Sequence, residues 1–218
     1  MKLYYCLLLV AASLSASADQ SNWVPLKIKL PAPVFAGTPK EAPQGIVVES
    51  PNLRPPVIMV PPNARNIAPL AKITSSDKNA TAASLAKITD GDKEADEDSI
   101  VELKKGLQWI QFDFRHPADI YAIAIWHAHD LAKIYRSVIV QVADDKDFTE
   151  NVRTLFNNDT DNSSGLGAGT DRQYFETFQG KEINAKGTRA RYVRLYSHGS
   201  TDSAMNEYTE VEIYGEIH

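Results

Sequence analysis

The residues best equipped for chemistry stand between positions 126 and 136. Trp126-His127-Ala128-His129-Asp130 closes one apolar run, and Tyr135-Arg136 opens the next. A loop of that make-up offers an indole, two imidazoles, a phenol and a guanidinium. Aromatic faces stack on the C–H surface of a sugar, while Arg and His donate to its ring hydroxyls. The plainer alternative is that Trp126 is a packed residue on a covered face and that the histidines are ordinary loop residues. His127 and His129 alternate, so on an extended chain they point to one side, the arrangement of half a zinc site. A catalytic zinc needs a third protein ligand and an open position, and the sequence identifies no third ligand. Asp90-Gly91-Asp92 sets two carboxylates about a glycine. That composition suits a plain turn, and it also suits a hard cation such as calcium.

Two long polar loops stand near these groups in the expected order of elements. Residues 157–174 contain Gly165-Leu166-Gly167-Ala168-Gly169. No helical pattern follows them, so they make no phosphate cradle. Asp159-x-Asp161-x-Ser163 lacks the central Gly and closing Glu of an EF-hand. Loops of this length in a compact domain are often functional, and this one is expected to wall the ligand face or cover one end of the fold. The second, 197–208, carries His198, Asn206 and Glu207, and His198 joins the candidate ligand contacts. Catalytic signatures are missing: no Gly-x-Ser-x-Gly elbow and no His-Glu-x-x-His. Asp144-Asp145 follows a strand-like run, where solvated turn acids are ordinary. The expectation is a binding protein and not an enzyme.

The elements that must position these groups read as strands. Residues 107–114 alternate cleanly, 121–126 are apolar throughout, and 137–142, 191–196 and 210–214 are rich in β-branched and aromatic residues. Residues 121–126 are therefore expected to be buried on both sides. No window of a dozen residues shows a helical stripe. Strands without intervening helices make an all-β sandwich or barrel. Ten of the twelve prolines fall before Asn63, which rules out long helices and central strands there. Trp23, Val24, Leu26, Ile28, Val34, Phe35 and the run 57–60 keep that stretch from looking disordered. Residues 19–62 are read as a proline-rich extended strap or linker, and 63–218 as the sandwich domain.

Residues 1–18 read as a signal peptide: Lys2, an apolar stretch from Leu3 to Leu14, and Ala16-Ser17-Ala18 as the cleavage site. The apolar run is shorter than the roughly 20 residues of a membrane-spanning helix, so no transmembrane segment is expected in the mature chain. The protein is expected to be secreted, periplasmic or held at the cell surface. Cys6, the only cysteine, lies inside the signal, so the mature chain has no disulfide and must stand on its core. Net charge is −5 with no concentrated basic face, which argues against a nucleic-acid partner.

Taken together, Asn66-Ile67-Ala68, Thr74-Ser75-Ser76, Thr89-Asp90-Gly91-Asp92, Gln108-Trp109-Ile110-Gln111-Phe112-Asp113, Arg191-Tyr192-Val193-Arg194-Leu195 and Glu210-Val211-Glu212-Ile213-Tyr214-Gly215 resemble the discoidin family. That galactose-binding-like family includes the coagulation factor V/VIII C-type domains and the bacterial family 32 carbohydrate-binding modules. The resemblance covers residues 64–217. It implies a jelly-roll β-sandwich of about eight strands that binds ligands through loops at one end. It also implies a polysaccharide or glycoconjugate partner, with Trp126, His127, His129, Tyr135, Arg136 and His198 as contacts. The bacterial modules commonly hold a structural calcium. Lys87, Asp90, Asp92, Ala95, Thr209 and Glu210 stand at the matching positions, with Ala95 where the modules carry Thr. Asp96-Glu97-Asp98-Ser99-Ile100 replaces the usual aromatic after the Asp-Gly turn, which weakens any expectation of galactose. The alternative to a lectin is a structural or adhesion protein that docks a cell-surface protein through its strap.

Overall fold

Alternation in the sequence becomes two very long strands that build the molecule. A computed structural model describes residues 20–33, 47–50 and 56–218. The expected signal peptide, and residues 34–46 and 51–55 of the expected strap, lie outside the described residues. Strands β1 (Val24–Pro25), β2 (Met59–Val60), β3 (Arg65–Asn66), β4 (Lys72–Ser75) and β5 (Val101–Leu103) are short. β6 runs unbroken from Gln108 to His127, joining the two runs that the sequence shows as separate. β7 (Ile139–Ala143), β8 (Arg153–Asn157), β9 (Lys181–Ser197) and β10 (Asn206–Ile217) follow. One short helix, α1 (Ala82–Ala86), starts with a reciprocal Thr81–Ser84 capping box.

The first half of β6 pairs with β4 and with the second half of β9, which continues to β7 and β8. Its second half pairs with β10 and with the first half of β9, and β10 carries β3 and β5. The register of β6 on β9 breaks between Asp113 and Ala118. Pro117 stands there, and Arg115 takes φ 68°, held by its N–H donating to Asp113 Oδ1 at 2.7 Å. In this way both long strands bend from one layer into the other, the corner construction of a sandwich. Ile110, Phe112, Val140, Val193 and Leu195 from one layer share a core with Ile123, Ile125, Ile183, Val211 and Ile213 from the other. The expected all-β sandwich is the observed fold.

Residues 121–126 are covered on both sides. Ile123 and Ile125 enter the core, while Ala122, Ala124 and Trp126 on the opposite face are at most 1% exposed. The cover over that outer face includes the N-terminal segment. β1 and β2 form a small antiparallel ladder, prolonged by Leu26 N–H donating to Ile58 O at 2.8 Å. Ile58 and Val60 pack on Ala122, with Leu26, Ala64, Tyr121 and Tyr214 around them. Trp23 meets Tyr121 edge-on at 5.4 Å. Further along the face, Lys93 Nζ sits 4.7 Å above the Trp126 ring, donates to Lys29 O and pairs with Glu212 at 2.7 Å. The described parts of the strap are thus a third layer. Among the described residues no helix is long and apolar enough to cross a membrane.

Candidate functional site

One end of the sandwich is closed by two loops that are hydrogen-bonded to each other. Tyr135 and Ser200 form an antiparallel bridge. Arg136 N–H donates to Gly199 O at 2.9 Å, His198 N–H to Arg136 O at 2.8 Å, and Thr201 N–H to Ile134 O at 2.9 Å. Gly199 takes φ +66°, and a Cβ there would stand 2.9 Å from the carbonyl oxygens of both Ser203 and Ala204, so this turn requires glycine. Asn206, fully buried, fastens a third loop to the pair. Its Nδ2 donates to Lys104 O and Gly106 O, and its Oδ1 accepts from Ser197 Oγ and Gly199 N–H.

Between these loops lies a cavity of about 480 Å³ lined by Lys105, Gly106, Arg136, His198 and Ala204. Its size falls in the range of small-ligand sites. Arg136 is exposed and His198 half-buried, so of the six expected ligand contacts these two are brought together at an accessible surface. Lys105 was not visible as a site residue in the sequence, where Lys104-Lys105-Gly106 reads only as a charged turn. Nor does the sequence reveal Asn206 as the organiser of the three loops.

The other four expected ligand contacts are corrected by burial. Trp126 and His127 are fully buried, Tyr135 is 1% and His129 2% exposed; no dissolved sugar reaches them. Trp126 Nε1 donates to Phe178 O at 3.0 Å. His127 stacks on Tyr135 at 4.2 Å, leans on Tyr208 and holds Glu176 through Nδ1 at 2.9 Å. Tyr135 Oη donates to Glu207 at 2.7 Å, and Lys133 pairs with Glu207 and Asp130. Burial, reinforced by Glu207, pushes the Tyr135 phenol far above its usual range, so it stays a neutral donor. His129 Nε2 faces Lys93 O at 2.8 Å; a carbonyl only accepts, so that nitrogen carries a proton. Each imidazole is held through one nitrogen by a different partner, and His127 Nε2 and His129 Nδ1 are buried with no hydrogen-bond partner. Among the described residues no group of three or more His, Cys, Asp or Glu side chains is gathered to hold a metal.

Loop 157–174 is folded on itself about Asp159, which accepts from Ser163 N–H and Oγ and from Ser164 N–H. Burial opposes ionisation there, but these hydrogen bonds win and bring the Asp159 carboxyl down to about 2. A Ser137–Ser163 contact of 3.2 Å holds the loop next to Arg136, though it does not line the cavity. Its far side receives residues 47–49: Glu49 N–H donates to Gln173 O, and Lys181 pairs with Glu49 at 2.7 Å.

The residues expected to hold calcium lie elsewhere, where the Asp90–Gly91–Asp92 turn meets β10. Gly91 N–H donates to Glu210 Oε2 at 3.2 Å. Glu210 Oε1 and Thr209 Oγ1 are buried with no hydrogen-bond partner. Burial pushes the Glu210 carboxyl up to about 9; the Gly91 N–H opposes this, and the Glu212 and Asp90 charges add to it. Asp90 Oδ1 accepts from Asp92 N–H, and Asp92 Oδ2 from Ser99 Oγ. Lys87 directs its ammonium away, to Asp98 O, while its carbonyl meets Asp90 N–H at 3.5 Å. Ala95 is buried.

No protein-family profile matches the chain, and no curated protein matches it. Similar architectures occur among solved structures. The CBM32 of AlyQ in complex with 4,5-unsaturated mannuronic acid is 18% identical over 65% of this chain and 92% of that one, with a TM-score of 0.45. Chitosan-binding module 1, derived from a chitosanase/glucanase of Paenibacillus sp. IK-5, is 17% identical over 70% and 99%, with a TM-score of 0.49. A family 89 glycoside hydrolase from Clostridium perfringens is 16% identical over 68% of this chain, with a TM-score of 0.48; the chain spans only 14% of its length.

Proposed function

We propose that this chain is a non-catalytic, lectin-like carbohydrate-binding module that works outside the cytoplasm and seats a glycan between its end loops. The observation that carries this reading is the cavity at Arg136, His198 and Lys105. It is walled by loops that are hydrogen-bonded into place before any ligand arrives, and preformed donors lose little freedom on binding. The test is retention of the purified protein on a panel of soluble polysaccharides with calcium present. Binding without depolymerisation, weakened about tenfold in Arg136→Ala, is the expected outcome. Depolymerisation of any member of the panel would overturn the non-catalytic assignment.

A structural calcium belongs to the same reading. Glu210 is a buried carboxyl with one oxygen unpartnered, a group that must hold either a proton or a cation. Thr209 adds a second unpartnered oxygen, and Asp90 and Asp92 stand on the adjoining turn. Oxygen-only donors of this kind suit calcium. Glu210, Thr209, Asp90, Asp92 and the carbonyls of Lys87 and Ala95 would hold the ion, tying the early turn to the last strand. Calcium is expected to raise the melting temperature by several degrees and a chelator to reverse the rise, because a ligand of the folded state stabilises it. In Glu210→Gln the shift should vanish. An identical melting curve with calcium and with chelator refutes the site.

A second reading rests on the strap. Val24, Leu30, Val47, Val57 and Met59 are five of the eight large hydrophobic residues that stay exposed among the described residues, and a groove of about 500 Å³ runs between Val24, Leu26, Pro61 and Tyr214. Such a surface suits a protein-docking or adhesion role. A folded protein that ignores every glycan in the panel shifts the assignment to this role.

A further inference from the structure

We propose that the cavity at Arg136 and His198 takes the charged unit of an acidic polysaccharide, a sugar bearing a carboxylate or a sulfate. This deepens the carbohydrate-binding reading and rests on it. Three nitrogen-bearing side chains, the Lys105 ammonium, the Arg136 guanidinium and the His198 imidazole, surround one space, and the remaining lining residues are Gly106 and Ala204. No carboxylate and no Phe, Tyr or Trp ring lines it. A neutral sugar hydroxyl both donates and accepts, and sugar rings are usually gripped by an aromatic face. This cavity offers neither a carboxylate acceptor nor the broad face of a Phe, Tyr or Trp ring. A carboxylate or sulfate only accepts, and charge-assisted bonds to Arg and Lys are about twice as strong as neutral ones.

The side chains of these three residues also have no partner of their own among the described residues. Four arginines elsewhere are engaged by the protein itself. Arg153 pairs with Asp144, Arg189 with Asp119, and Arg191 with Asp113 through two hydrogen bonds. Arg194 is engaged by Gln111, Tyr196 Oη and Lys146 O and is flanked by the rings of Trp109 and Phe148. What sets the cavity apart is convergence: three unpartnered nitrogen-bearing side chains share one space, and Asp202 does not line it. The backbone ladder through Arg136, His198 and Gly199 fixes the spacing of the donors, so they stay together despite like charge. The chain as a whole carries −5, so its overall field repels a polyanion. Attraction must therefore be local, which makes it removable by local substitution.

The experiment compares polygalacturonate with its fully methyl-esterified form, and dextran sulfate with dextran, by affinity electrophoresis of the full protein. At least one charged polymer should be retained about tenfold more strongly than its neutral counterpart, the effect of one charge-assisted contact. Whether the uronate or the sulfate is retained identifies the source of the charge. Retention should weaken with salt and fall about tenfold in Arg136→Ala and in Lys105→Ala at unchanged melting temperature, while Arg153→Ala on another face leaves it intact. Equal retention of a charged polymer and its neutral counterpart overturns the acidic preference but leaves the lectin reading standing. Retention that survives Arg136→Ala, or is lost equally in Arg153→Ala, removes the cavity as its source. No retention of these four or of any other glycan overturns both.

Discussion

Replacing Trp126 by alanine is expected to lower the unfolding free energy by about 3–5 kcal/mol, the usual loss when a buried large aromatic is truncated. The indole is fully buried although it points away from the sandwich core. Its nitrogen is bonded to Phe178 O, Lys93 lies over one face, and Gly180 approaches so closely that a Cβ there would stand 2.6 Å from the ring. Truncation therefore opens a cavity and leaves Phe178 O without its donor. It also removes the surface on which Lys93 and the strap residue Lys29 meet. Urea denaturation of Trp126→Ala against the parent measures the loss. A change under about 1 kcal/mol, the level of a surface substitution, would show that the ring is not enclosed. Below its transition the variant should keep its glycan affinity, which separates this residue from Arg136.

Asn206→Ala carries the second large effect, a loss of about 2–4 kcal/mol together with weakened binding. One side chain joins Lys104 O, Gly106 O, Ser197 Oγ and Gly199 N–H inside the protein. Each buried polar group left without a partner costs about 1–3 kcal/mol, partly relieved by water. Asn206→Asp is not a rescue: the carboxylate would face the carbonyls of Lys104 and Gly106 and should destabilise at least as much. Chemical denaturation and titration of a retained polysaccharide, run on the same preparations, check the two halves of the prediction. Full stability in Asn206→Ala would mean that the three loops hold together without it.

Much of the frame was legible because it is written in short-range pattern. The alternation at 107–114 and the β-branched runs at 137–142, 191–196 and 210–214 overlap β6, β7, β9 and β10. The fully apolar run at 121–126 correctly signalled burial on both faces. The first half of β9 was missed because only Ile183 and Ala185 point inward from a charged stretch. The site was harder. Trp126, His127, His129 and Tyr135 carry the right chemistry, yet what decides their accessibility lies far along the chain: Lys93 over Trp126, Glu176 on His127, Glu207 on Tyr135. Local spacing holds no record of such partners. Arg136 and His198 reach the surface because the bridge between Tyr135 and Ser200 turns them outward from the buried cluster, and a bridge between two loops is equally invisible to periodicity. Lys105 enters only through Asn206, which draws the 104–106 turn to the other two.

The third layer sets an order on folding. The strap precedes its seat in the chain: the seat is built by the second half of β6 together with β10. Val60 and Leu26 contact Ala122 and Tyr214, so residues early in this sequence must wait for a strand made much later. Until then Ala122 lacks its apolar cover on the outer face of β6, which leaves the kind of surface on which partly folded chains associate. Contacts of such long sequence separation also form slowly. The strap therefore works as a closing clasp: it can dock only after β10 has been made, and helper proteins that bind apolar strands would find their target in that interval.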